Sequence, residues 1–129
     1  MAPAIWSMRH LGLDKGETVI VGVNKYRLPQ ESHLDTLEDQ WARAVPVWRE
    51  LDRRAADRGV MIAIEMHPQN LVFNPPTLRR LVEKVGATHV GAEMDPSHLF
   101  WQGIDPVAAI EYLGDLVLHA AAKDTRINP

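Results

Sequence analysis

The sequence predicts an α/β fold with a parallel sheet. From residue 18 onward, short apolar stretches typical of strands alternate with longer stretches whose apolar residues recur at helical spacing. Each helix candidate begins near a capping residue or a proline and ends at a glycine, which marks the unit boundaries. Such alternation indicates that helices cross over between successive parallel strands.

The first strand is predicted over residues 18–23, which are mostly β-branched and apolar. The longest helix is predicted over residues 39–58 and ends at Gly59. Its apolar residues fall on one face: Trp41, Ala44, Val45, Trp48, Leu51 and Ala55. Pro46 removes a backbone hydrogen bond within this stretch, so the helix is expected either to begin near Pro46 or to kink there.

Two further strand–helix units follow the same pattern. A buried strand over residues 60–64 precedes a helix that Asn74 caps and that ends at Gly86, with an inner face of Leu78, Leu81, Val82 and Val85. A strand over residues 89–95 precedes a helix that starts at Asp105 and Pro106 and stops at Gly114, with Val107, Ile110 and Leu113 facing inward. The last strand is predicted at residues 116–118.

Composition narrows the class of protein. The chain has 129 residues, 46% hydrophobic and 24% charged, as in an ordinary globular domain. Its net charge of −3 argues against a nucleic-acid partner. There is no cysteine, so a metal site can use only nitrogen and oxygen ligands. No apolar run approaches the ~20 residues of a membrane helix, and the first ten residues lack a signal-peptide core. We therefore expect no membrane partner and a cytoplasmic location.

Three chemistry-bearing residues follow three successive predicted strands. Glu65, Asp95 and His119 each stand where an apolar run ends, separated by about one βα unit. Functional groups in parallel α/β folds gather at the C-terminal ends of strands. Carboxylates with one imidazole favour Mn²⁺, Mg²⁺, Fe²⁺ or Zn²⁺ over soft metals. The pattern predicts a divalent-metal site.

Two histidines lie a few residues beyond these candidate ligands. His67 and His98 are either polar loop residues bonded to backbone, or contacts to a substrate or further ligands. His98 is the better candidate, because the turn at Pro96 and Ser97 directs it back toward the same end of the sheet.

Three other residues have two open interpretations each, and a fourth has one. Lys123 and Asp124 are either an ordinary surface pair or part of the site. In the second case they place a cation near a substrate oxygen, and Asp124 orients a neighbouring residue. Trp101 either packs in the interior or forms an aromatic wall over a sugar. Glu93 departs from the apolar alternation and is expected to face the opposite layer, paired with a cation.

Four short motifs resemble the xylose-isomerase-like TIM-barrel superfamily, which includes sugar-phosphate isomerases and epimerases and the related endonuclease IV. The resemblance covers residues 39–129, and the motifs are residues 64–68 (IEMHP), 94–99 (MDPSHL), 101–106 (WQGIDP) and 119–124 (HAAAKD). It implies that Glu65, Asp95 and His119 bind the metal. By the same resemblance, His98 contacts substrate, as in the sugar enzymes, or metal, as in the nuclease.

The resemblance also implies a partial (β/α)8 TIM barrel. A full barrel takes about 250 residues, so about half a barrel with parallel strands is expected here. The family's fourth ligand is a Glu on a later strand, and no such strand precedes Pro129. Residues 14–38 resemble a short stretch of methylmalonyl-CoA mutase, but they lack a cobalamin-binding His motif, so no mutase function is transferred. These observations predict an N-terminal segment at 1–38 with one strand and the partial barrel at 39–129.

The resemblance implies a metal-dependent sugar or sugar-phosphate isomerase/epimerase that takes a small-molecule sugar or sugar phosphate. Glu65 is expected to act as a catalytic acid/base, and His67, His98 and Lys123 are expected to bind substrate. The alternative is a non-catalytic barrel fragment that associates with another half-barrel, including a second copy, through exposed sheet edges. An endonuclease IV-like nuclease is the third hypothesis, disfavoured by the acidic balance of the chain.

Overall fold

The computed structural model describes residues 18–21 and 33–126. Four parallel strands form one sheet in the order β1-β2-β3-β4. They are β1 (Thr18–Val21), β2 (Met61–Glu65), β3 (Val90–Met94) and β4 (Val117–Ala120). The predicted α/β fold with parallel strands is confirmed, and the open sheet corresponds to part of a TIM barrel. Residues 22 and 23 of the predicted first strand lie outside the described residues.

Within the described residues, four helices connect or flank these strands. They are α1 (His33–Arg58), α2 (Pro75–Val85), α3 (Ser97–Phe100) and α4 (Pro106–Leu113), and a 3₁₀ turn at Gly114–Leu116 leads into β4. The predicted start of the first helix at residue 39 is wrong, because α1 begins at His33 and contains Pro46. Trp41 and Trp48 are both buried, one on each side of Pro46. Their packing offsets the backbone hydrogen bond that the proline removes.

The predicted caps of α2 are confirmed. The Asn74 side chain accepts a hydrogen bond from the Thr77 amide at 3.1 Å, and Thr77 Oγ1 accepts one from the Asn74 amide at 3.0 Å. Gly86 ends the helix with a φ of 70°, a left-handed conformation that favours glycine. Leu78, Leu81 and Val85 are buried, so α2 presents the predicted apolar face to the core.

The predicted inner face of α4 is only partly right. Asp105 caps the helix as expected, with its side chain accepting from the Val107 amide at 2.9 Å. Leu113 is buried, but Val107 and Ile110 are 61% and 46% exposed. Ala109 is the second buried residue of the helix, and its four-residue separation from Leu113 places both on one narrow face. Val107 and Ile110 lie off that face.

The core fills the space between the sheet and the helices. β3 is buried along its whole length, as a central strand of a parallel sheet should be. Gly91 lets β4 approach closely, since a Cβ there would lie 2.7 Å from Leu118 Cγ. Because the strands are parallel, the residues that follow β2, β3 and β4 meet at one end of the sheet. Within the described ranges, no helix has the length and apolar character needed to cross a membrane.

Candidate metal centre

The strand register sets three polar side chains in one row. Glu65 on β2 is the register partner of Glu93 on β3, and Glu93 is the partner of His119 on β4. Register partners in a sheet project to the same face. A shift in register between Ala92 and Glu93 brings His119, rather than Leu118, opposite Glu93. Acidic and imidazole groups from three neighbouring strands therefore share one face near the C-terminal end of the sheet.

Glu65, Asp95 and His98 form the tightest group at this end. Each offers one ligand atom, and these atoms all lie within 4.8 Å of one another. His98 Nε2 lies 3.3 Å from Glu65 Oε1 and 3.4 Å from Asp95 Oδ2. This is a compact set of two carboxylates and one imidazole, which is the donor chemistry that divalent first-row metals bind.

Asp95 itself brings His98 back toward β2. Asp95 Oδ1 accepts hydrogen bonds from the Ser97 amide at 3.0 Å and from Ser97 Oγ at 2.6 Å. These bonds fix the turn from β3 into the short helix α3, which carries His98. The predicted turn of His98 toward the same end of the sheet is found.

Lys123 lies against the same carboxylates. Its Nζ donates to Asp95 Oδ2 at 2.6 Å and lies 3.9 Å from Glu65 Oε1. Burial alone would raise the pKa of Asp95, but the hydrogen bonds from Lys123 and Ser97 outweigh burial and hold the pKa below its ordinary value. The same ion pair raises the pKa of Lys123. Asp95 is therefore ionised at neutral pH.

Glu93 is the residue of this site that sequence reasoning misplaced. It was expected on the opposite layer with a cationic partner, but it lies in the row between Glu65 and His119. The residue is 4% exposed, and within the described part of the chain its Oε2 is buried with no hydrogen-bond partner. Burial and the nearby charges of Glu65 and Asp95 raise its pKa. The sequence does carry a signal for this placement. Glu93 lies two residues before Asp95, and alternate residues of a strand project to the same face.

Of the other predicted residues, His67 lies against this group. The His67 ring packs edge-on against His98 with centroids 4.4 Å apart, and its Nδ1 lies 2.8 Å from the Pro68 carbonyl oxygen. His119 is exposed on β4 and lies outside the group formed by Glu65, Asp95 and His98. Its role as a metal ligand stays a prediction.

Asp124 and Trp101 were the remaining candidates. The Asp124 side chain accepts a hydrogen bond from the Thr125 amide at 2.7 Å. Trp101 is largely exposed, so the interior-packing interpretation is wrong.

The charges of these residues suit a divalent cation. Glu65, Glu93 and Asp95 are three carboxyl groups in mutual electrostatic contact, whereas Lys123 is the ammonium group that faces them. When all three are ionised, these groups and Lys123 leave two negative charges in excess, and among the described residues Glu93 Oε2 has no donor to offset its burial. A divalent cation would balance this excess, so the residues present fit such an ion.

The match to a family model establishes the class of the protein. The model described as "Xylose isomerase-like TIM barrel" matches residues 13–129. The chain therefore belongs to the xylose isomerase-like TIM barrel family. The match begins before the predicted boundary at residue 38. That boundary stays a prediction, as does the mutase-like stretch, most of which lies outside the described residues.

A curated relative covers most of the chain. The chain is 45% identical over 95 residues to the uncharacterized protein YfiH of Bacillus subtilis (strain 168). The match takes in 72% of this chain and 30% of the relative, so the chain spans less than a third of the relative's length.

Solved structures share the fold. The apo 3-keto-D-glucoside 4-epimerase YcjR from E. coli superposes with a TM-score of 0.65 at 19% identity, over 78% of this chain and 41% of the epimerase. The IOLI protein, solved with a bound zinc atom, gives a TM-score of 0.54 at 24% identity, over 74% of this chain and 33% of that protein. The structural neighbours thus include a sugar epimerase and a zinc-containing protein of the same fold.

Proposed function

We propose that this chain supplies the metal-binding part of the active site of a sugar or sugar-phosphate isomerase/epimerase. The observation that carries the proposal is the grouping of Glu65, Asp95 and His98 within 4.8 Å at the C-terminal end of a parallel sheet. Active sites of barrel enzymes lie at that end. The sugar epimerase among the structural neighbours supports the reaction class.

A divalent ion is the proposed cofactor. Glu65 and Asp95 would hold it through carboxylate oxygens and His98 through Nε2, with His119 retained as a candidate from sequence. Mn²⁺, Mg²⁺, Zn²⁺ and Fe²⁺ all accept such donors, and the zinc atom in the IOLI protein supports an ion of this class. When bound, the ion supplies a Lewis acid that polarises neighbouring sugar oxygens.

The chain's own residues would handle the proton and orient the sugar. Glu65 is partly exposed at the open end of the sheet, where its carboxylate would accept a proton from a carbon next to a carbonyl and return it. His67 packs against His98 beside Glu65, so the ring nitrogens that bind neither the ion nor the Pro68 carbonyl oxygen would bind sugar hydroxyls. Lys123 reaches the solvent side of the site, where its ammonium would bind an oxygen or phosphate of the substrate.

Thermal unfolding with and without Mn²⁺ tests the metal site. We expect Mn²⁺ to stabilise the wild-type chain by about 2.7 kcal/mol when it is present at ~100 times its dissociation constant. Asp95→Asn should lose most of this effect, because it removes a charged ligand and nearly preserves shape. Asp115→Asn, at an exposed position on the turn before β4, is the matched control and should respond like wild type. Equal shifts for wild type and Asp95→Asn would show that Asp95 is not a ligand.

A second candidate function is a fragment that associates with another half-barrel. The favouring observation is the exposure of Val107 and Ile110, two apolar residues one helical turn apart on α4, in a chain whose described sheet ends at β4. A second copy of the chain is the proposed partner. The nuclease remains third, and no observation at the site favours it. The cytoplasmic location stays a prediction.

A further inference from the structure

Two cationic or cation-capable groups contact one pair of oxygens. Lys123 Nζ lies 2.6 Å from Asp95 Oδ2 and 3.9 Å from Glu65 Oε1. His98 Nε2 approaches the same two atoms, at 3.4 Å and 3.3 Å. The lysine ammonium therefore lies against the very oxygens that a metal ion held by Glu65, Asp95 and His98 would use.

Lys123 compensates the charge of a buried carboxylate. The Asp95 side chain is 1% exposed, and a buried carboxylate without a compensating cation is costly. Lys123 supplies that cation, although its own side chain is 56% exposed. It belongs to the irregular segment that follows β4, and its long flexible stem lets the ammonium move into water without opening the core.

A divalent ion and the ammonium would repel each other at this distance. Two positive charges about 4 Å apart interact unfavourably even where water screens them, and more strongly beside a buried carboxylate. Asp95 would also have to share Oδ2 between both cations. Simultaneous binding is therefore disfavoured, and whichever cation leaves is replaced by the other.

We propose that Lys123 and a divalent metal ion bind alternately to Asp95 and Glu65. In the metal-free chain, Lys123 neutralises Asp95 and keeps the site folded. Metal binding displaces the ammonium, which becomes free to contact substrate on the solvent side. This inference rests on the proposed function, because it requires that the site binds metal.

Calorimetric titration with MnCl₂ tests the exchange on the whole chain. Lys123→Met keeps a long apolar stem but removes the charge, so we expect it to bind Mn²⁺ about tenfold more tightly than wild type. Lys123→Arg retains a cation and should stay near the wild-type affinity. Lys84→Met removes an exposed lysine on α2 and should leave the affinity unchanged.

The outcomes separate this inference from the proposed function. If Lys123→Met binds Mn²⁺ as wild type does, or more weakly, the exchange is wrong while the metal site stands. If neither chain binds Mn²⁺, both the metal site and the exchange are wrong.

A second measurement uses the wild-type chain and does not depend on the folding of a variant. Labelling with an amine-reactive reagent, followed by peptide mass spectrometry, compares Lys123 with Lys84. We expect Mn²⁺ to raise the labelling of Lys123 severalfold, because the amine leaves Asp95 for solvent, and to leave Lys84 unchanged. Unchanged labelling of Lys123 at saturating Mn²⁺ would contradict the displacement.

Discussion

At the scale of single residues, Glu93 has the most costly environment in the described part of the site. Its carboxyl group is buried near the acidic side chains of Glu65 and Asp95, and one of its oxygens has no partner there. Desolvation and like charge both disfavour the ionised form, which is why its pKa is raised. Ionisation of Glu93 therefore costs stability in the metal-free protein.

Glu93→Gln should stabilise the metal-free chain at pH 7. A carboxyl group with a raised pKa binds more protons in the folded state, so its contribution to stability declines as pH rises above its ordinary value of 4.5. Glutamine mimics the neutral form and removes that decline. Urea denaturation between pH 4 and pH 7 measures how the free energy of unfolding of each chain changes with pH. Glu83→Gln, at an exposed position, is the control. A variant less stable than wild type at pH 7 would show that the charge on Glu93 is compensated.

The sequence identified the carboxylates of the candidate site but not the geometry of the imidazoles. Glu65 and Asp95 were recognisable because a carboxylate that ends an apolar run is unusual and costly. The placement of His119 depends on the register shift between β3 and β4, which turns His119 toward the row containing Glu65. A shift of one residue exchanges the two faces of a strand. No local pattern in the sequence specifies that shift.

At the scale of elements, capping residues determine where α2 and α4 begin. Tertiary packing determines the path of α1 and which side chains of α4 are exposed. Asn74 and Asp105 were predicted as caps and act as caps, because their side chains satisfy amides that a helix start leaves free. The passage of α1 through Pro46 and the exposure of Val107 were not predictable from periodicity. Both depend on what packs against the helix, and a hydrophobic period does not specify its neighbour.

Asn74→Ala should destabilise the chain by about 1 kcal/mol. The substitution removes the side-chain oxygen that accepts from the Thr77 amide, and this amide is near the start of a helix whose inner face is buried. Urea denaturation at pH 7 measures the loss. Glu83→Ala, exposed on the same helix, should change stability by less than about 0.5 kcal/mol. Equal effects of the two substitutions would rule out the cap as the cause.

At the scale of the whole molecule, the described sheet is open and α4 exposes apolar side chains. β1 and β4 are the outer strands of the four described, and outer strands offer unpaired backbone groups. Val107, Ile110 and Tyr112 are exposed on α4. Solved neighbours of the fold extend well beyond the region that the chain matches, since the chain covers 41% of the epimerase and 33% of the IOLI protein.

The chain should therefore self-associate in solution. Sedimentation velocity over a range of concentrations should show a species larger than the monomer. The fraction of the chain in this species should fall as the chain is diluted. Ile110→Glu should shift the population toward monomer, because it places a charge in the exposed apolar surface, whereas Glu111→Gln on the same helix should not. A strongly stable monomer at every concentration would contradict the association.

Crystals of the chain soaked in MnCl₂ and measured near the manganese absorption edge test the central claim most directly. We expect an anomalous peak about 2.0–2.4 Å from a carboxylate oxygen of Glu65, one of Asp95 and Nε2 of His98, since these are typical distances for such ligands. The same map shows whether His119 takes part. A peak elsewhere, or none with the site open to solvent and Mn²⁺ in excess, would contradict a metal centre built from Glu65, Asp95 and His98.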